Sequence, residues 1–226
     1  MLEDGSVYEG TARGDFKETA CEIVFNTSMT GYVEILTDPS YAGQGVVMTY
    51  PMIGNYGISR EDFESERLQP SAFIVHELSS DPSNFRCTDT IENLLKEYNI
   101  PCISGVDTRA VVKKLRESGT MRGVLTSDIG DRERLMDVIK SFRQIDLVGS
   151  VTAKQTKVYG EENTGAEIAL MDFGTKRNII NNLVKRNCIV TVYPSFTSAD
   201  EIIKTSPDGI MLSNGPGDPS ECVDII

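Results

Sequence analysis

The stretch Asp208-Gly-Ile-Met-Leu-Ser-Asn-Gly-Pro-Gly-Asp-Pro219 constrains the fold more than any other part of the chain. Four residues, Gly209-Ile-Met-Leu212, read as a short apolar strand, and the glycine-proline-glycine after it predicts a tight loop at its end. Gly215 and Gly217 have access to backbone angles closed to other residues and can bring their N–H groups close to a bound group, while Pro216 stiffens the turn between them. Asp218 is a natural N-cap, Pro219 suits the first helical position, and Glu221 stands where a capping-box acid would. A helix is expected to start there, yet the sequence ends at Ile226, so the domain is expected to be incomplete.

Upstream, apolar runs alternate with helical periodicity. Ile168-Ala-Leu-Met171 predicts a strand, Lys176 to Asn187 a helix with Ile179, Ile180 and Leu183 inward, and Ile189-Val-Thr-Val-Tyr193 a second strand. Ser198 or Asp200 begins a further helix through Ile202 and Ile203, and Gly209–Leu212 is the third strand. Such alternation with short connections implies parallel pairing and right-handed crossovers. Ligands of open α/β sheets collect beyond the carboxyl ends of the strands, where Asn214-Gly-Pro-Gly217 falls. Residue types alone leave a structural turn and a ligand loop both open; the position at a strand end favours the ligand loop. A dinucleotide fingerprint is not matched, because its third glycine is missing and the preceding strand is not the first of its unit. Three strands would leave the last as an unpaired apolar edge. Asp172-Phe-Gly174 resembles a kinase tripeptide but stands without the other kinase signatures, so it reads as a strand end and a turn.

The first half differs. Asp4-Gly5 is a hairpin signal between Leu2 and Gly10, Glu22–Phe25 and Val46–Tyr50 are strand-like, and strands are expected to dominate the first eighty or so residues. Thr88 or Asp89 is expected to cap a helix through Tyr98, Pro101–Ser104 to form a strand, and Asp107 to cap a helix that Gly119 ends. A third helix spans roughly 131–142. The fold class expected is α/β: a mixed α and β domain over residues 1–150, a polar aperiodic linker over 151–166, and the first parallel βαβαβ portion of a second domain over 167–226.

Composition narrows the chemistry. With 34 acidic against 22 basic residues, the net charge of −12 argues against nucleic acid or an anionic membrane as partner. No signal peptide or spanning segment is evident, so the cytoplasm is the expected compartment. The five cysteines, Cys21, Cys87, Cys102, Cys188 and Cys222, include no C-x-x-C pair and suggest neither a disulfide framework nor a metal site. The single histidine, His76, lies in a strand-like run and has no evident nucleophile beside it. Arg109, Lys113, Lys114 and Arg116 read as a solvated helix face. No nucleophile elbow with a paired base is present, so no catalytic residue is assigned. The hydroxyl-rich segments 26–31 and 36–41 read mostly as turns.

Those same segments carry a resemblance. Phe25-Asn-Thr-Ser-Met-Thr-Gly-Tyr-Val-Glu-Ile-Leu-Thr-Asp-Pro-Ser-Tyr41 and Thr49-Tyr-Pro-Met-Ile-Gly-Asn-Tyr-Gly57 closely resemble the amino-terminal domain of the small, glutamine-hydrolysing subunit of carbamoyl-phosphate synthetases. Ser83–Arg86, Gly105–Arg109 and Asp172–Ile179 continue the likeness in order, whereas Ser213–Pro219 is similar to class I glutamine amidotransferases more widely. The resemblance implies that such a subunit hydrolyses L-glutamine and passes ammonia to a large subunit, where ATP and magnesium are expected; no cofactor is expected on this chain. It implies glutamine contacts at Ser40, Gly215 and Gly217. It also implies a nucleophilic cysteine in an elbow, with later histidine and glutamate partners, none of which occurs within these 226 residues. The polypeptide as given is therefore expected to be inactive. A non-catalytic docking module for a synthetase-like partner is the alternative.

Overall fold

A computed structural model describes residues 1–14, 16–144 and 146–222, with the side chain of Glu221 outside the description. The chain divides into two compact units: Met1–Thr37 with Gly43–Gln144, and Asp38–Ala42 with Ile145–Ile226.

The first unit contains β1 (Thr11–Arg13), β2 (Thr19–Asn26), α1 (Tyr32–Thr37), β3 (Gln44–Met48), β4 (Met52–Ile53), β5 (Ala72–Ile74), β6 (Glu77–Leu78), α2 (Ile91–Glu97), β7 (Cys102–Ser104), α3 (Thr108–Ser118), β8 (Met121–Leu125) and α4 (Arg132–Ser141). Its main sheet runs β1-β7-β5-β3-β2-β8, parallel at the centre and antiparallel where β1 meets β7 and β8 meets β2. Val46, Val47 and Met48 of β3 are all buried, as expected of an interior strand covered on both faces. One face packs Ile23, Val47 and Ile74 against Val111 and Leu115 of α3. Asp107 caps that helix by accepting from Ala110 N, and Gly119 closes it at a φ of 84°. Both ends match the sequence expectation.

Other local expectations shift. Asp4-Gly5 does make a turn, with Gly5 N donating to Leu2 O and Leu2 N to Ser6 O, but no strand pair extends from it; Leu2 also bridges to Gly123. Thr90, not Thr88 or Asp89, caps α2; the Asp89 carboxylate instead accepts from Thr90 N and Asn93 Nδ2. Between the two segments read as turns, and overlapping the second only at Leu36 and Thr37, lies α1, which buries Tyr32, Val33, Ile35 and Leu36. Its β-branched residues are weak helix formers, so tertiary burial decides its structure. His76 lies in an exposed bend after β5 rather than in a strand, with Nδ1 3.0 Å from Val106 O. A carbonyl only accepts, so this nitrogen carries the proton.

The second unit contains α5 (Leu147–Val151), β9 (Lys157–Tyr159), β10 (Glu167–Asp172), α6 (Arg177–Val184), β11 (Ile189–Pro194), α7 (Ala199–Ile203) and β12 (Gly209–Leu212). Its sheet order is β12-β10-β11-β9. Strands β10, β11 and β12 are parallel, as the alternation predicts. The stretch 151–166, expected as a linker, instead supplies β9, which pairs antiparallel with β11 and covers that edge of the sheet. Its polar sequence is compatible with an edge strand, which needs only one buried face. Leu170, Val190 and Val192 form the core beneath Ile180 of α6. On the opposite edge, Ile210 and Leu212 of β12 are 54% and 64% exposed. The expected apolar edge is present.

Candidate ligand-binding site

The site forms within the second unit because of the order of its strands. From β10 the chain crosses through α6 to β11 on one side, then through α7 back to β12 on the other side of β10. The crevice beyond the carboxyl ends of β10 and β12 is thus a topological switch point, where adjacent strands send their loops apart. Phe173–Lys176 leaves β10 here, and Ser213–Asp218 leaves β12.

The first loop is built around Asp172, a buried carboxylate at the end of β10. Its Oδ1 accepts from Gly174 N at 2.9 Å and Thr175 N at 2.7 Å, and its Oδ2 accepts from Ala153 N at 2.7 Å. This confirms the turn reading of Asp172-Phe-Gly174: the carboxylate is occupied in shaping the backbone.

The second loop is stitched to the first. Ser213 N donates to Met171 O, Phe173 N donates to Ser213 Oγ at 2.9 Å, and Ser213 Oγ donates to Asn214 O at 2.7 Å. This brings the backbone of Gly215 so close to that of Phe173 that a Cβ there would lie 2.4 Å from Phe173 O. Gly215 is therefore required by close approach, whereas Gly217 is required by its φ of 80°. Residue types suggest the same conformational reason for both glycines; only Gly217 uses it. Pro216 between them is buried. Among the described residues, neither the Gly215 nor the Gly217 amide donates to a protein acceptor, and both residues are exposed.

Asp218 caps as expected, accepting from Ser220 N at 2.8 Å, which holds its carboxyl below the usual range. The element it caps is a single 3-10 turn, Pro219–Glu221, rather than an α-helix among the described residues. The capping role expected of the Glu221 side chain, and everything from residue 223 onward, lies outside the described residues.

Ser40 belongs to this unit although it lies far away in sequence. The segment Asp38–Ala42 forms a 3-10 turn, Pro39–Tyr41, whose N-cap Asp38 accepts from Ser40 N at 2.9 Å. The other Asp38 oxygen pairs with Lys176 Nζ at 2.7 Å, anchoring the turn to the start of α6. Ser40 Oγ accepts from Asn214 Nδ2 at 2.9 Å. The structure thus places Ser40 against the residue that precedes Gly215, so the three residues expected to contact a ligand belong to one neighbourhood. Asn214, Asp38 and Lys176 are not among the residues singled out from sequence. Asp38-Pro39 offers a local turn signal; the pairing of Asn214 with Ser40 has none.

No catalytic constellation accompanies these donors among the described residues. Cys21 and Cys102 are buried in the first unit, where burial pushes both thiols up to about 12, and such thiols make poor nucleophiles. All five cysteines are free. No group of three or more metal-ligating side chains occurs among the described residues, and no helix there is long and apolar enough to cross a membrane. The site instead offers hydrogen-bond donors at the ends of the parallel strands β10 and β12.

These features define an open α/β domain with loop donors at its strand ends, and comparison with known proteins gives the class: residues 169–226 match the family described as Glutamine amidotransferase class-I. Residues 1–125 match Carbamoyl-phosphate synthase small chain, CPSase domain, and the chain belongs to that small-chain family. Among its relatives, each called carbamoyl phosphate synthase small chain, the Listeria monocytogenes serotype 4b (strain F2365) protein is 46% identical over 222 residues, covering 98% of this chain and 61% of the relative. The Clostridium perfringens (strain 13 / Type A) protein is 48% identical over 222 residues, covering 98% and 63%. That of Bacillus cereus (strain ATCC 14579) is 47% identical over 226 residues, covering 100% and 61%. The chain thus spans about three fifths of the length of these relatives.

Proposed function

We propose that this chain supplies the docking domain and part of the glutamine pocket of a glutamine-dependent carbamoyl-phosphate synthase small subunit. In the whole protein the small subunit hydrolyses L-glutamine and delivers ammonia to a large subunit. That partner uses ATP and magnesium to make carbamoyl phosphate for arginine and pyrimidine synthesis in the cytoplasm. The single observation that carries the reading is the pair of amides at Gly215 and Gly217, unengaged among the described residues, in the loop whose Asn214 contacts Ser40. Backbone N–H groups held in place by the surrounding structure suit a carboxylate oxygen, or the oxyanion that develops when a thiolate attacks a side-chain amide.

Attack itself needs an activated thiolate with a base in reach. Within these 226 residues the only imidazole, His76, belongs to the first unit and uses Nδ1 on Val106 O. We therefore expect the polypeptide to bind glutamine without hydrolysing it. The test is titration of the isotope-labelled 226-residue chain with L-glutamine, followed by amide resonances and by an assay for glutamate. Saturable shifts at Gly215 and Gly217, weakened by Ser40→Ala, with no glutamate released, are the expected result. Shifts absent at high glutamine concentration would refute the binding assignment, and enzymatic glutamate release would refute the inactivity. Co-purification with a large synthetase subunit tests the partner.

A further inference from the structure

The residue that organises the strand-end site is one to which the proposed glutamine contacts assign no role. The Asn214 carboxamide has two N–H donors, and both are used: one reaches Ser40 Oγ at 2.9 Å, the other Gly174 O at 3.0 Å. Gly174 O can only accept, so it fixes which end of the carboxamide carries the hydrogens. The consequence falls on the other end. Asn214 Oδ1 is buried and has no hydrogen-bond partner among the described residues, as is also true of Thr175 Oγ1 on the adjoining loop. Buried polar groups are nearly always paired, so an orphaned oxygen marks an orientation imposed by something else. Here two donations impose it. Aspartate has nearly the same shape but would offer no hydrogen to either acceptor.

This arrangement sets the polarity of Ser40. Its oxygen receives a hydrogen from Asn214, and its backbone N–H is held by Asp38 Oδ1 at 2.9 Å, so the side chain starts from a fixed point. Its own hydroxyl hydrogen has no acceptor among the described residues and remains to be given. Next along the chain come the Gly215 and Gly217 amides, which are likewise donors without acceptors among the described residues.

We infer that Asn214 is a positioning residue that locks Ser40 as a hydrogen-bond donor, so that this part of the site selects a ligand oxygen able only to accept, such as a carboxylate or carboxamide oxygen. The inference rests on the proposed glutamine-binding reading for its ligand, and on geometry alone for the lock. A ligand that presents an ammonium group at this point would meet three donors and be disfavoured.

The lock can be tested apart from the ligand. In the unliganded chain, both Asn214 side-chain amide hydrogens should exchange slowly with solvent, and Ser40→Ala should accelerate one of them. Rapid exchange of both in the wild-type chain would overturn the lock whether or not glutamine binds. With ligand, Asn214→Asp should weaken glutamine about tenfold or more, as expected for losing a donor to a charged group. Asn214→Asp combined with Ser40→Ala should be no weaker than Asn214→Asp alone, because the first acts through the second. Additive losses would overturn the inference, as would unchanged affinity in a folded Asn214→Asp protein. Should Asn214→Asp not fold, the exchange experiment on Ser40→Ala decides. Absence of glutamine binding to the wild-type chain, with both hydrogens protected, would refute the functional reading and leave the lock intact.

Discussion

The two units finish their sheets in opposite ways. In the first, the edge strand β1 is the short polar Thr11-Ala-Arg13, and the far strand β8 is met by Leu2, which pairs with Gly123. In the second, β9 closes one edge, with Lys157 lying 4.9 Å over the Tyr159 ring, while β12 has no partner beyond β10 among the described residues. Natural sheets blunt their edges with charge, brevity or cover. The first unit does all three; β12 has brevity alone, without charge or cover among the described residues, and its outward positions are isoleucine and leucine. The lesson is that the glycine loop proposed to hold a ligand hangs from a strand whose outer edge is uncovered among the described residues.

The largest effect should come from the small core under that strand. Leu170 is fully buried in β10, and Leu170→Ala should cost about 3 kcal/mol. The loss should appear in resonances of the second unit while those of the first remain native; Val47→Ala in the first unit should show the reverse. Equal loss of both units in either variant, tracked through thermal melts, would break the comparison and make the molecule one cooperative block.

Next come the loop glycines. Gly215→Ala places a methyl against Phe173 O and should cost about 2 kcal/mol, since overpacking of a tight site is poorly absorbed. Gly217→Ala, at a φ of 80°, should cost about 1 kcal/mol. Urea midpoints separate the two, and equal effects would show that the contact with Phe173 is easily relieved.

A smaller effect concerns acid stability of the first unit. Hydrogen bonds from Arg134, at 2.7 and 2.8 Å, and from Thr126 hold the Glu18 carboxyl at about 2 against an ordinary 4.5. Because the folded value is depressed, the stabilisation is complete above about 4.5 and is lost as pH falls through about 2. Exposure of the pair screens it, so the contribution is modest. Glu18→Gln should flatten the stability profile across that window and leave neutral pH nearly unchanged. The smallest change in stability, within about 0.5 kcal/mol, is expected for Ile210→Lys with Leu212→Lys, because both sites are exposed. Sedimentation should nevertheless show less self-association than in the parent chain. An unchanged distribution would mean that the β12 edge is not a pairing surface.

Much of this architecture is legible in sequence where one element contains its own signals. Asp107 and Gly119 bracket α3, and three apolar runs separated by helical periodicity specify the parallel β10, β11 and β12. Elements defined by distant partners are not. Strand β9 is a tripeptide inside a polar, aperiodic stretch that becomes a strand because β11 offers an edge, and α1 is held by burial despite its β-branched residues. At the site, the glycine loop is visible from composition, whereas the hydrogen bond between Ser40 and Asn214 spans 174 positions and has no local trace. Ser40 enters through family likeness, and nothing in the residues around it announces the carboxamide that orients it.

The five residues Asp38–Ala42 belong to the later unit although they are translated within the earlier one. A single cut in the gene therefore cannot separate the two bodies. Any fragment opening at residue 146 would lack both the Asp38 carboxylate that pairs with Lys176 and the hydroxyl that receives Asn214. Supplying that pentapeptide segment through a circular permutation would be the way to obtain the second body whole.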